Sequence, residues 1–152
     1  MSTCIFPGKF QPFHNGQLLV VKGMMKACGK VMIVICHNGN EMFTTDEVRE
    51  MISGALLGED IVDATIVEVA DCTEDSEWAD KVLEVAERPT DPIIWSGDEA
   101  VRKIFEDMGV KTQKIALVPG ITGEGLRQSI KTSDDSWRKQ VPREVEPIIN
   151  KH

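Results

Sequence analysis

The sequence predicts an α/β fold: a Rossmann-like, doubly wound domain with a five-stranded parallel sheet, helices on both faces and a short helical C-terminal tail. Three observations predict it. Five short apolar runs alternate with amphipathic stretches of helical length. One of those runs, Val31 to Cys36, is apolar at every position, the mark of a strand covered on both faces. Start and stop signals fall between the runs, among them Thr44, Gly58, Pro89 and Gly109.

The elements follow in order. Cys4-Ile5-Phe6 is a short apolar run ending at Pro7-Gly8. Leu18 to Cys28 is helical, with Leu18, Leu19, Val21 and Met25 on nearby faces. Val31 to Cys36 is the second strand. Thr44 or Thr45 caps a helix through Leu57, with Gly58 as its stop. Ala64 to Val69 is the third strand. Ser76 to Glu87 is a helix that Pro89 keeps from continuing. Ile93-Ile94-Trp95 is the fourth strand, and Asp98 to Met108 a helix ending at Gly109. Ile115 to Val118 is the fifth strand. From Gly123 to His152 the chain reads as short helices broken by Pro142 and Pro147.

The chain has 152 residues, which predicts a single domain over 1–152. A domain of this size buries about 68–70% of its unfolded surface and needs no staple. Seventeen basic against twenty-five acidic residues give a net charge of −8. That charge argues against nucleic-acid or anionic-membrane partners, whose affinity comes from a basic face. No apolar run approaches the ~18 residues of a membrane span. Met1 to Phe6 lacks a charged segment followed by an apolar one, so no signal peptide is expected and the expected location is cytoplasmic. Cys4, Cys28, Cys36 and Cys72 form no CxxC pair and have no histidine at zinc-finger spacing. The expectation is four reduced thiols and no protein-bound metal.

In a parallel sheet of this kind, ligands sit beyond the carboxyl ends of the strands. The turn after the first strand reads Gly8-Lys9-Phe10-Gln11-Pro12-Phe13-His14-Asn15-Gly16-Gln17. It is neither a Walker A loop nor a GxGxxG fingerprint. It does place a cation, a histidine and a glycine at a helix start, where unpaired N–H groups and positive potential favour phosphate. Gly16 lets a phosphate approach the backbone closely.

This stretch resembles the GRFQPFHxGH signature of the nucleotidyltransferase superfamily, in particular the archaeal-type nicotinamide mononucleotide (NMN) adenylyltransferases. The likeness runs nearly end to end. Phe43-Thr44 with Glu47 resembles the family's PFTxxER. Asp71 and Trp78 stand where the family carries an aspartate and a nicotinamide-contacting tryptophan. Trp95-Ser96-Gly97-Asp98 resembles Tyr-Ser-Gly-Asn. Thr122-Gly123-Glu124-Gly125-Leu126-Arg127 resembles the late phosphate motif Ser-Gly-Thr-Glu-Val-Arg, and Ser136-Trp137-Arg138 with Val141-Pro142 resembles the closing Asp-Trp-Arg and Leu-Pro. The departures are specific too. The second histidine of HxGH is Gln17, and the arginine after the first glycine is Lys9. Glu124 replaces a threonine, Gly125 a glutamate, and Asn40 and Val48 stand where arginines are usual. A further arginine before the late motif has no counterpart in Val118-Pro119-Gly120.

The resemblance implies adenylyl transfer: a mononucleotide phosphate attacks the α-phosphorus of ATP and pyrophosphate leaves. His14, Lys9 and Gln17 are the expected catalytic group. Gly8, Phe10, Gly16, Ser96, Gly97, Thr122, Gly123 and Arg127 are expected to bind the nucleotide and its phosphates. Arg127 would grip the outgoing phosphates bidentately. Asp71 and Trp78 are expected on the acceptor. Mg2+ would arrive with the nucleotide and need few protein ligands. His37, ending the second strand, lies within reach; Trp95 and Trp137 read as packing. The partners are ATP or another NTP and a small phosphorylated acceptor, most simply NMN giving NAD. The family's homo-oligomers make self-association an expectation, although no apolar stripe demands it. Two rivals stand beside this reading. One keeps the chemistry with CTP or another acceptor; the other is a non-catalytic nucleotide-binding regulatory module.

Overall fold

The computed structural model describes residues 1–116 and 118–152. Strands β1 (Thr3–Gly8), β2 (Lys30–His37), β3 (Ala64–Ala70), β4 (Pro92–Ser96) and β5 (Lys111–Lys114) form one parallel sheet in the order β3-β2-β1-β4-β5. Alternation along the strands divides the core in two. Cys4, Phe6, Val31, Ile33 and Ile35 face helices α1 (Asn15–Ala27) and α2 (Thr45–Gly58) and the tail. Ile5, Met32, Val34, Cys36 and Ile94 face α3 (Asp75–Val85) and α4 (Glu99–Glu106). The tail comprises α5 (Gly123–Lys131), a 3₁₀ turn (Asp135–Lys139) and α6 (Glu146–Ile149). No described helix is long and apolar enough to cross a membrane.

Several expectations need correction. The fifth strand is Lys111–Lys114, not Ile115 to Val118. An edge strand can be polar, since charged side chains guard an open edge. The apolar residues that follow turn inward, and Ile115 is buried; Leu117 lies outside the described residues. Gly58 does not stop its helix but completes it, and the left-handed residue is Asp60 (φ +57°). A Cβ at Gly58 would push the end of the Glu144 side chain aside. Pro147 does not break a helix but lies in the first turn of α6, where its missing N–H is harmless.

The thiol expectation also fails in part. Cys4 and Cys28 form a disulfide, with Cα atoms 5.8 Å apart, while Cys36 and Cys72 are free. The crossover through α1 returns Cys28, the C-cap residue, beside the start of β1. No sequence spacing announces that return.

Candidate active site

The strand order reverses between β1 and β4, and the crevice beyond their carboxyl ends is where such sheets bind ligands. A cavity of about 560 Å³ lies there. Its floor is the end of β1 and its walls are the starts of α1, α4 and α5. Gly8, Phe10, His14, Gly16, Gln17, Ser96, Gly97, Thr122 and Gly123 line it, so the structure gathers nine expected nucleotide or catalytic residues from three separated segments.

His14 is the N-cap of α1. Its Nδ1 accepts the N–H groups of Gly16 at 3.1 Å and Gln17 at 3.4 Å. Burial disfavours the imidazolium and lowers its pKa to about 4. The ring is therefore neutral at pH 7, and with Nδ1 accepting, its proton sits on Nε2 as a donor. Gln17 completes a capping box: its Oε1 accepts the His14 N–H at 3.0 Å. Among the described residues its amide nitrogen has no protein acceptor. A Cβ at Gly16 would press on the His14 ring at 3.0 Å, so glycine there preserves the cap.

The late motif forms the opposite wall. Thr122 caps α5, accepting the Gly125 N–H at 3.0 Å. Ser96 holds the turn after β4, its Oγ accepting the Asp98 N–H at 3.1 Å. Phe10 is a floor residue: it is buried at φ +53°, and its ring lies against Gly8 and edge-on to Phe6 and Phe13.

Lys9 and Arg127 take a different position from the one expected. Neither lines the main cavity. Both line a second one of about 440 Å³, with Gln11, Asn38, Asn40, Glu41, Met42 and Lys131. Lys9 Nζ donates to Asp71 at 2.9 Å and to Glu41 at 3.3 Å. Partial burial works against its charge, but these two carboxylates outweigh that and hold its pKa above the ordinary value. Arg127 donates through Nη1 to the Gln11 carbonyl at 3.0 Å and lies over Gly123, between the two cavities.

Asp71 therefore acts here as a partner of Lys9. Trp78 lines neither cavity; it packs edge-on against Phe105 with ring centroids 5.7 Å apart, and the Cys36 thiol is buried on the same side of the sheet. Burial raises that thiol to about 11, so it is protonated and inert. His37 lines a smaller hollow with Phe43 and Thr44. Two departures prove to lie outside the site. Val48 is fully buried in the core, and Glu124 lines no described cavity.

Three residues escaped the sequence reading. Gln11 is buried and clamps the first loop to the second: its Nε2 donates to the Phe43 carbonyl at 3.0 Å and its Oε1 accepts the Phe43 N–H at 2.8 Å. Lys131 follows Arg127 by four residues, one helical turn, which was a usable signal. Glu41 gave none, because its partners come from a turn whose shape the sequence does not state.

Known proteins bear on this arrangement. The chain is 28% identical over 158 residues to the nicotinamide-nucleotide adenylyltransferase of Pyrobaculum aerophilum, covering 98% of this chain and 88% of that one. A bifunctional NMN adenylyltransferase/ADP ribose pyrophosphatase from Francisella tularensis superposes with a TM-score of 0.83 at 17% identity. It covers 98% of this chain, which spans half the length of that protein. The structure of such a bifunctional protein from the same organism with AMP and a manganese ion gives 0.77 at 18% identity, covering 98% of this chain and 49% of that one. The switch-point cavity, the capped His14 and the late α5 motif all fall within residues 5–134, which match the family model described as cytidylyltransferase-like, and the chain belongs to that family.

Proposed function

We propose that this protein is an NMN adenylyltransferase, joining ATP and NMN into NAD with release of pyrophosphate. The observation that carries the reading is the pair of cavities flanking the first loop. One is a crevice at the N-termini of three helices, with the neutral side chains of His14, Gln17 and Ser96 in its lining; the other is a hollow lined by Lys9, Arg127 and Lys131. A two-substrate transfer needs two sites that meet at one phosphate.

The nucleotide takes the crevice, with its phosphates against the N-terminus of α1. His14 donates from Nε2 to the transferring phosphoryl group, where negative charge builds. Gln17 and the Gly16 backbone lie beside it. The acceptor phosphate takes the second cavity, where Arg127 and Lys131 face it and orient its oxygen toward the α-phosphorus. Bond formation and pyrophosphate departure need no covalent enzyme intermediate, so positioning and charge stabilisation suffice. Among the described residues no group of three carboxylate, histidine or cysteine side chains could cage a metal. Mg2+ would arrive with the nucleotide, held by its phosphates and water, and would neutralise charge there.

Lys9 is already matched by two carboxylates, and that favours one second reading: a phosphorylated acceptor less anionic than NMN. Pyrophosphate release with magnesium, measured with ATP or CTP against a panel of acceptors, separates the two. Turnover of ATP with NMN that vanishes in His14→Ala supports the proposal. Turnover with another pair alone transfers the mechanism to that substrate. Silence across the panel with nucleotide still bound overturns both.

A further inference from the structure

The second cavity contains an anion of its own. Glu41 lies in the loop between β2 and α2, and only 9% of its side chain is exposed. Its Oε1 accepts the backbone N–H groups of Asn38 at 3.1 Å and Gly39 at 3.2 Å. Its Oε2 accepts the Asn38 N–H at 3.0 Å and the Lys9 ammonium at 3.3 Å. Gly39 has φ +90°, a conformation that a side chain would strain. Two successive N–H groups converging on one anion, with a left-handed residue between strand and loop, make a backbone nest. Asn38 Oδ1 accepts the Asn40 N–H at 2.8 Å and holds the turn in that shape.

Convergent amides and a lysine ammonium are the parts of a phosphate site, yet the occupant is a carboxylate of the same chain. Around it, Arg127 and Lys131 line the cavity and have no ion pair among the described residues. The cavity therefore holds two unmatched cations beside a nest already filled.

We propose that Glu41 is a built-in competitor for the acceptor's anionic group: the Asn38–Gly39 nest and Lys9 form a phosphate subsite, and an incoming phosphate enters it by displacing the Glu41 carboxylate. This rests on reading the cavity as the acceptor side. Displacement gives up the bonds of three donors: the Asn38 N–H, shared by both oxygens, the Gly39 N–H and the Lys9 ammonium. A phosphate monoester, with three terminal oxygens and a charge near −2, replaces them all. A carboxylate or a phosphodiester offers less and is turned away, so Glu41 determines specificity for monoesters. Hydrogen bonds and Lys9 overcome partial burial and keep the Glu41 pKa below the ordinary value, so the competitor is charged at pH 7.

The test is Glu41→Gln, which keeps the shape and the acceptor oxygen but removes the charge. Binding of inorganic phosphate, NMN and nicotinamide riboside is measured by calorimetry without ATP, so catalysis plays no part. The amide signals of Asn38 and Gly39 are followed by NMR in the unaltered protein. Phosphate and NMN should bind about fivefold tighter to the variant, at the upper end of what one removed like charge in a solvent-facing cavity contributes. Nicotinamide riboside, which lacks the phosphate, should bind both proteins equally. Phosphate should shift the Asn38 and Gly39 amides of the unaltered protein. Equal or weaker phosphate binding in the variant overturns the proposal, as does phosphate that shifts only Gly16 and Gln17. Should NMN fail to bind while phosphate tightens as expected, the nest stands and NMN falls as the acceptor.

Discussion

Gln17 holds the backbone N–H of His14 at 3.0 Å, while His14 holds the backbone N–H of Gln17 through its ring nitrogen at 3.4 Å. Each residue fixes the other. The cap aims the His14 ring, and the occupied Oε1 leaves only the amide N–H groups of Gln17 to serve a ligand. Gln17→Glu keeps the cap, because glutamate is a natural partner in a capping box. Its melting temperature should stay near the parent's while turnover drops about 10²-fold, the scale of one lost transition-state donor. Gln17→Ala should lose the same donor and also about 1 kcal/mol of stability with the cap. Unchanged turnover in Gln17→Glu would reduce Gln17 to a structural cap.

His14 makes the stability depend on pH in a defined direction. An unfolded chain protonates this histidine near 6.5, whereas burial holds the folded one neutral down to about 4. Above pH 6.5 both states carry the same charge and the group contributes no slope. Between 6.5 and 4 the unfolded state binds the extra proton, so stability falls as pH falls, by about 3 kcal/mol in all. His14→Asn keeps an N-cap acceptor and removes the titration. Denaturant unfolding at pH 7, 5.5 and 4 should show a smaller acid loss in the variant. Parallel losses in both proteins would mean that His14 titrates normally. Pyrophosphate release by His14→Asn should fall about 10²–10³-fold at any pH.

Gln11 carries a third test. Both polar atoms of its amide are spent on the backbone of Phe43. Gln11→Leu preserves the bulk and strands that N–H and carbonyl in a buried place. The expected cost is about 3 kcal/mol, read by chemical denaturation. A loss under 1 kcal/mol would mean that the two loops hold together without the clamp.

The disulfide is open to a direct count. Alkylation of the denatured, unreduced protein should label Cys36 and Cys72 and spare Cys4 and Cys28. Reduction should raise the count to four and lower stability by about 3 kcal/mol, as expected for opening a loop of this length. Four labelled thiols before reduction would contradict the pairing.

What the sequence disclosed follows from where the information lies. β2 was legible because a strand buried on both faces must be apolar throughout, and α2 because Thr44 and Glu47 form a local cap. The residues that line the switch-point cavity were legible as neighbours because the loop, the turn after β4 and the α5 start each keep a contiguous motif. β5 was misplaced because its Lys-Thr-Gln-Lys stretch owes its strand state to β4, which the local pattern does not contain. That Lys9 and Arg127 line a different cavity from His14 and Gln17 was not legible for a similar reason. Spacing along the chain says nothing about which side of the first loop a long side chain takes, and Asp71 and Glu41 decide it for Lys9.

Arg127 and Lys131 lie one turn apart on α5 and share the second cavity, so they offer the last test. Arg127 spends one N–H on Gln11 and retains others in a planar fork. Lysine cannot reproduce both the tether and the fork. Arg127→Lys should therefore raise the KM for the acceptor about tenfold, with a smaller effect on the KM for ATP. Lys131→Met removes an exposed point charge and keeps the apolar stem. It should raise the acceptor KM by about three- to fivefold, leave kcat near the parent value and weaken the salt dependence of acceptor binding. The double variant reports whether both cations meet one anion. If they do, the second loss depends on the first, because contacts to a shared group do not add. Strict additivity would place them on different groups, and an ATP KM that rises while the acceptor's stays fixed would return Arg127 to the nucleotide's phosphates.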